Sequence, residues 1–260
     1  MSHIAVVIPV YRAERTLREL CRRLTESVGA ISEDFEIVLV EDCGGDQSWE
    51  LIEELAAADG RIKGVRFSRN FGQHYALTAG LDVCDADWVV TMDCDLQDRP
   101  EEIGRLYEKA LEGYDVVSAF KSERKYPLMQ DAGSHAFAWI FNQLADIRYN
   151  SQLGSFRLIS RKAVDYVVSM RERLRLVMGL IDWMGFPTAV VEVQHDARTD
   201  GESSYSFRKR LKLATEVIIA YSDKPLRLSV QFGFLIALLA LLGGVIVFVR
   251  ALFFGSEVLG

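Results

Sequence analysis

The chain has no cysteine framework. Its four cysteines, Cys21, Cys43, Cys84 and Cys94, form no C-x-x-C pair. A disulfide scaffold and a zinc site are therefore not expected, and the thiols read as free in a reducing compartment. An excess of basic charge is also missing: 30 Lys and Arg stand against 37 Asp and Glu, a net charge of −7. That balance argues against a nucleic acid partner. The N-terminus shows no signal peptide, because the apolar run Ile4 to Val10 is short and is interrupted by Pro9. No complete calcium loop is present either. Counted from Asp93, the sixth position is Asp98 where such a loop needs Gly, and the twelfth is Gly104 where it needs Glu. No histidine or carboxylate pair stands out as a general acid and base. His74, His135 and His195 read as surface or packing residues.

The 260 residues suffice for one large α/β domain or two small ones. Strand-like runs at His3 to Val10, Phe35 to Val40, Ile62 to Phe67, Trp88 to Met92 and Tyr114 to Phe120 alternate with helical patterns. Those helices are expected at Arg12 to Ile31, Ser48 to Ala58 with Ser48 as N-cap, Gln73 to Leu81, and Pro100 to Glu112. The alternation predicts a parallel, doubly wound sheet with helices on both faces. Tyr11, Asp42, Ser68 to Asn70 and Asp93 to Asp95 all follow strands. They would gather at the carboxyl edge, where such sheets bind ligands. Further on, the pattern predicts helices at Ser134 to Leu144 and Arg161 to Met170, and strands at Gly154 to Ser160 and Pro187 to Val193. His195 to Tyr205 reads as a polar loop.

Towards the C-terminus, Phe207 to Tyr221 is amphipathic, with Arg208, Lys209, Arg210 and Lys212 at its start. It fits a helix lying on anionic headgroups, or an ordinary surface helix. Phe232 to Val249 then runs without a charge. It reaches the length of about 18 residues that marks a membrane span, and it lacks the polar stripe of a core helix. The cations before it place the N-terminal domain in the cytoplasm, with Arg250 beyond the span as a contrary signal. The resulting division is a cytoplasmic domain over 1–206, an amphipathic segment over 207–227 and one transmembrane helix over 228–254.

The stretch TMDCDLQDRP, Thr91 to Pro100, sets three aspartates after an apolar strand. Mg²⁺ and Mn²⁺ select oxygen ligands, and Mg²⁺ sites commonly use one or two carboxylates plus substrate phosphates. Asp93, Asp95 and Gln97 supply such a set. A lone D-x-D also occurs at surface turns and helix starts, and Asp98 with Pro100, Glu101 and Glu102 suits the start of a helix.

Other motifs surround this turn in order: IPVYRAERTL (8–17), VEDCGGDQSWELI (40–52), FSRNFGQHYALTAGL (67–81), GSFRLISRKA (154–163), GLIDWMGF (179–186), RTDGESSYS (198–206) and SDKPLRL (222–228). The series resembles the family-2 glycosyltransferases of the polyprenyl-phosphate, dolichol-phosphate-mannose-synthase-like branch, over essentially the whole chain. The resemblance implies a GT-A-type, mostly parallel α/β sheet and an inverting transfer from a nucleoside-diphosphate sugar, a UDP-sugar by preference. The acceptor it implies is a polyprenyl phosphate such as undecaprenyl phosphate, at the cytoplasmic membrane face. It implies that Pro9, Tyr11, Val40 and Asp42 border the base and ribose, with Asp93, the backbone of Cys94 and Lys121 also at the nucleotide. Asp95 and Gln97 would hold Mg²⁺ or Mn²⁺, and Arg198 would close on the diphosphate. Asp93, Asp95 and Arg198 thus form the implied catalytic set, and Ser134, Arg157 and Arg161 the acceptor-phosphate set. The lipid bilayer is an implied partner, and a homo-oligomer is the implied assembly.

The chain departs from that pattern at Ala13, where Glu is frequent, at Lys121, where Arg is usual, at Ser204, where Lys is usual, and at Gln130, where a basic residue is common. Arg124, Lys125, Arg157 and Arg161 are the cations placed to compensate. Members of the branch commonly carry two membrane helices; one span here marks a shortened chain or a natural short form. Two other readings remain. Transfer to a hydroxyl acceptor needs a base, for which Asp182 is the carboxylate in its region, although the Gln-x-x-Arg-Trp motif of processive synthases is missing. A non-catalytic membrane scaffold is the other, opposed by intact Asp42, Asp93, Asp95, Gln97 and Arg198.

Overall fold

The computed structural model describes residues 2–121, 153–170, 177–194, 196 and 224–254. Seven strands build one sheet: β1 (Ile4–Val10), β2 (Phe35–Glu41), β3 (Ile62–Arg66), β4 (Trp88–Thr91), β5 (Val116–Lys121), β6 (Leu153–Ser160) and β7 (Thr188–Val193). Their order is β3-β2-β1-β4-β6-β5-β7. Strands β1 and β2 are continuous apolar runs because both of their faces are covered, and every residue in them is buried.

Alternate side chains serve two separate cores. Ile4, Val6, Ile8 and Val10 point to one face. There they meet Leu17, Leu20, Leu24 and Val28 of α1 (Leu17–Gly29), Ile52 of α2 (Ser48–Ala58), and Ile103, Leu106 and Ala110 of α4 (Ile103–Ala110). Ala5, Val7, Val38 and Val40 point to the other face. Their partners there are Ala76, Leu77 and Leu81 of α3 (Gln73–Val83), Ala163, Val164 and Val167 of α5 (Arg161–Ser169), and Val177 and Ile181 of α6 (Val177–Trp183). Helix α3 lies so close to the sheet that a Cβ on Gly80 would stand 2.2 Å from Val7 Cγ1. A last helix, α7 (Lys224–Phe254), includes a stretch, Leu226–Phe253, long and apolar enough to cross a membrane.

The expected parallel sheet holds for six strands. Strand β6 is the exception, antiparallel to both β4 and β5. Chain β5 leaves at the carboxyl edge and β6 re-enters from that edge, so it must run backwards between its neighbours. Three local expectations also shift. Helix α1 begins at Leu17 and not at Arg12, because residues 11–16 form a turn with Arg12 at φ +54°. Ser48 is not the cap of α2: its hydroxyl accepts from Ala13 N–H at 3.0 Å and donates to Asp46 Oδ2 at 2.8 Å. The helix at Pro100 opens as a short 3-10 turn, Pro100–Glu102, with Arg99 and not Asp98 at the cap position. Helix α6 was not anticipated. The expected helix at 134–144, the loop at 195–205 and the amphipathic segment at 207–221 lie outside the described residues, apart from Asp196.

Candidate active site

The strand order reverses at β1. The chain steps outward through β2 and β3, then returns to the other side of β1 as β4. Such a switch point opens a crevice beyond the carboxyl ends of the two central strands. The turns after β1 and β4 both end there.

The turn after β4 is tied to other parts of the fold at Asp93, Cys94 and Gln97 and is closed from within at Asp95. Asp93 Oδ1 accepts from Gln73 Nε2 at 2.7 Å, which joins the turn to the start of α3. The carbonyl of Cys94 accepts from Thr16 Oγ1 at 2.7 Å, just before α1. Asp95 Oδ1 accepts from Gln97 N–H at 3.1 Å and closes the turn across Leu96, whose φ is +60°. The carbonyl of Gln97 accepts from Asp196 N–H at 3.1 Å, three residues past β7. Asp93, Cys94, Asp95 and Gln97 are all half-buried. Asp98 is buried below them.

The turn after β1 lies alongside. Tyr11 is 43% exposed, and the Arg12 guanidinium stands 5.3 Å from its ring centre. Arg12 Nε donates to Gly44 O at 3.0 Å, drawing in the turn after β2. Gly44 is required there, since a Cβ would stand 2.7 Å from Arg12 N. Asp42 is buried at the end of β2. Its carboxylate accepts from Phe71 N–H at 2.7 Å, Gly72 N–H at 2.8 Å and Asn70 Nδ2 at 2.9 Å. Burial raises its pKa above the usual carboxylate value, against the lowering effect of the Phe71 and Gly72 N–H groups. Asp42 therefore braces the segment leading into α3, at the rim of the crevice. Pro9 and Val40 are buried partners across the β1–β2 ladder, and the Val40 side chain packs towards α3. They support the floor of the crevice.

Lys121 ends β5 at the same carboxyl edge, opposite Val193 of β7. Arg157 is on β6, paired with Thr91 of β4. Its guanidinium is buried and donates from Nη1 to Asp182 Oδ1 at 2.6 Å and from Nη2 to Oδ2 at 3.3 Å. Both oxygens of Asp182 are thus engaged, which commits lone pairs that a general base would use. Arg161 is elsewhere. It follows β6 at the amino edge of the parallel strands, beside Asp87, with Nη1 on Cys84 O and Nε on Asp165. Six residues of strand rise separate that level from Asp93, roughly 20 Å. Arg161 is therefore not brought to the acidic turn. Ser134 and Arg198 lie outside the described residues. His74, next to Gln73, is a packing residue: burial lowers its pKa to about 4, so it is neutral at pH 7.

Among the described residues, no group of three or more His, Cys, Asp and Glu side chains is assembled to hold a metal. The turn itself offers hard oxygens, the carboxylates of Asp93 and Asp95 and the side-chain carbonyl of Gln97, all on half-buried residues. They suit Mg²⁺ or Mn²⁺ completed by substrate phosphates. Cys94 supplies no competing thiolate, because burial pushes its pKa up to about 11. Gln73, Thr16, Arg99 and Asp196 went unnoticed in sequence as supports of this turn. Gln73 and Thr16 stand inside quoted motifs, but only the fold shows what they hold.

The model of the family described as Glycosyl transferase family 2 matches residues 5–166. An uncharacterised glycosyltransferase of Bacillus subtilis, YkcC, is 36% identical over 98% of this chain and 80% of its own length. An undecaprenyl-phosphate 4-deoxy-4-formamido-L-arabinose transferase of Pseudomonas fluorescens is 34% identical over 98% of this chain and 75% of its own. Among solved structures, Staphylococcus aureus TarS in complex with UDP-GlcNAc superposes with a TM-score of 0.57 at 15% identity, over 84% of this chain and 65% of that one. Glucosyl-3-phosphoglycerate synthase of Mycobacterium tuberculosis, solved with Mn²⁺ and UDP, gives 0.53 at 17% identity, over 84% and 77%. Those two structures share the fold, and with the family match and the relatives they lead to one conclusion: the chain belongs to glycosyl transferase family 2.

Proposed function

We propose that the chain transfers a sugar from a nucleoside-diphosphate sugar, by preference a UDP-sugar, to a polyprenyl phosphate such as undecaprenyl phosphate at the cytoplasmic face of a membrane. The observation that carries this reading is the oxygen-rich turn Asp93–Gln97, fixed at the switch-point crevice of a chain that also carries a helix able to cross a membrane. The name of the Pseudomonas relative supports the acceptor class. The nucleotides in the TarS and synthase structures support the donor class.

In this reading Tyr11 and Asp42 border the base and ribose, and Asp93 lies by the nucleotide. Asp95 and Gln97 would hold the divalent ion, which when bound would offset charge on the departing diphosphate. Lys121 and Arg198 bring cations to the same diphosphate and Ser134 serves the acceptor end, whereas Arg157, buried and paired with Asp182, braces β6 against α6. An oxygen of the lipid phosphate attacks the anomeric carbon from the side opposite the diphosphate. The new carbon–oxygen bond forms as the bond to the diphosphate breaks, and the nucleoside diphosphate leaves with the electron pair. The anomeric centre inverts. A phosphate monoester is already ionised near neutral pH, so no proton has to be removed first. What the protein contributes is alignment and charge stabilisation. Asp182, held by Arg157, has no step to perform.

The test is incubation of the purified protein in detergent with Mg²⁺ or Mn²⁺, a panel of radiolabelled nucleotide sugars and undecaprenyl phosphate. Label entering the lipid fraction from one donor is the expected result. No lipid-linked product from any donor would sink the reading.

A further inference from the structure

We propose that Arg99 and Asp196 are positioning residues for the metal-holding turn, acting through the carbonyl of Gln97. The inference rests on the reading above and names a device within the same site.

Left to itself the turn is poorly held. Leu96 sits at φ +60°, a left-handed conformation that a branched side chain disfavours. The Asp95 carboxylate closes it from inside through Gln97 N–H. From outside, the carbonyl of Gln97 is held by Asp196 N–H at 3.1 Å. Asp196 follows β7, the edge strand, whereas the turn follows β4, with β6 and β5 between them in the sheet. This backbone hydrogen bond therefore spans the carboxyl edge, and it depends on residue 196 being kept in place.

Arg99 keeps it there. Nε donates to Asp196 Oδ1 at 2.8 Å, Nη2 donates to the same oxygen, and Nη1 donates to Gln194 Oε1 at 2.7 Å. One guanidinium thus grips the chain on both sides of residue 195. Arg23 of α1 adds a second cation, 3.8 Å from Asp196 Oδ2, and its own fork on Glu101 at 2.6 and 2.8 Å fixes it to the 3-10 turn. Arg99 itself follows Gln97 by two residues. The clamp therefore closes a ring: Gln97, Asp98, Arg99, the Asp196 side chain, the Asp196 N–H and back to Gln97. Lys at position 99 could supply the charge but not the planar fork. The Arg99 and Asp196 side chains are 33% and 37% exposed, so their pairing adds little to global stability. Its consequence is local, on the geometry of Gln97 and Asp95.

The experiment is calorimetric titration of Mn²⁺ into the full-length protein in detergent with UDP present, alongside the melting temperature. Wild type is expected to bind. Arg99→Ala should weaken Mn²⁺ binding about 10-fold, as for other groups that orient a metal ligand, with the melting temperature nearly unchanged. Arg99→Lys should recover only part of the affinity, and the exchanged pair Arg99→Asp with Asp196→Arg should recover more than either single change. If Arg99→Ala is poorly folded, Asp196→Asn gives the same test with the amide N–H retained. Wild-type affinity in a folded Arg99→Ala or Asp196→Asn protein would overturn the clamp and leave the proposed function standing. A wild-type protein that binds no Mn²⁺ with UDP would overturn both.

Discussion

Within the D-x-D turn, neighbouring residues do different work. The side chains of Asp93 and Asp95 are held in place by Gln73 and by Gln97 N–H, at the mouth of the crevice. Cys94 between them packs against the first core, and its carbonyl takes the Thr16 hydroxyl. A serine at 94 is close to cysteine in size and leaves the carbonyl bond intact. Cys94→Ser should therefore keep near-wild-type Mn²⁺-dependent UDP binding. Asp95→Ala removes a proposed ligand itself and should weaken that binding by more than about 100-fold, beyond the 10–100-fold typical of groups that only orient a ligand. Equilibrium binding of labelled UDP with and without Mn²⁺ measures both. Equal losses in the two variants would show that the ligands had been assigned to the wrong side of the turn.

Between elements, the Arg157–Asp182 pair joins β6 to α6 across the second core, with side chains 3% and 28% exposed. Asp182→Ala strands a buried guanidinium and should cost about 2–4 kcal/mol of stability, somewhat below the range for a fully buried pair because Asp182 reaches solvent. Replacing both residues by Met and Leu should recover most of that loss. Denaturant unfolding of the single and double variants tests this. If Asp182→Asn instead abolished turnover without a stability change, a base role for Asp182 would return. The pair also shows what the sequence could and could not disclose. Strands β1, β2 and β4 were legible because apolar runs bounded by turn residues mark buried strands, and α1 was legible in the spacing of Leu17, Leu20, Leu24 and Val28. The direction of β6 was not, since an apolar run reads alike for parallel and antiparallel pairing. The Asp93–Asp95 turn was visible as charge after a strand, but its supports were hidden. Gln73 and Asp93 stand 20 residues apart, and Arg99 and Asp196 stand 97 apart, separations at which no local pattern survives. The start of α1 was misplaced for a similar reason. Arg12 and Ala13 are held by Gly44 and Ser48, contacts that override the helical spacing around them.

On the scale of the whole molecule, a catalytic domain and a membrane helix must suit each other, because the proposed acceptor carries its phosphate at the bilayer surface. Helix α7 has 31 residues, a length of about 46 Å at 1.5 Å per residue. That exceeds the hydrocarbon thickness of about 30 Å, so a crossing helix of this length would reach into the interface or tilt. Lys224 and Arg227 stand at its N-terminal end, with Arg208 to Lys212 earlier in the chain, against Arg250 near the other end. Weighted by number, the cations support our proposal that the N-terminal end, and with it the crevice, faces the cytoplasm. The cysteines supply a native reporter. Cys21 and Cys84 are buried and Cys94 is half-buried, whereas Cys43 is exposed in the turn after β2. In spheroplasts of a bacterial host, a membrane-impermeant maleimide should leave Cys43 unlabelled until the cells are lysed. In a Cys43→Ser background, Gly260→Cys should label before lysis if α7 crosses once as proposed, because one crossing would place residues 43 and 260 on opposite sides. Labelling of Cys43 in intact spheroplasts would reverse the orientation and separate the crevice from any cytoplasmic donor. Protection of both positions would mean that α7 enters the membrane without crossing it.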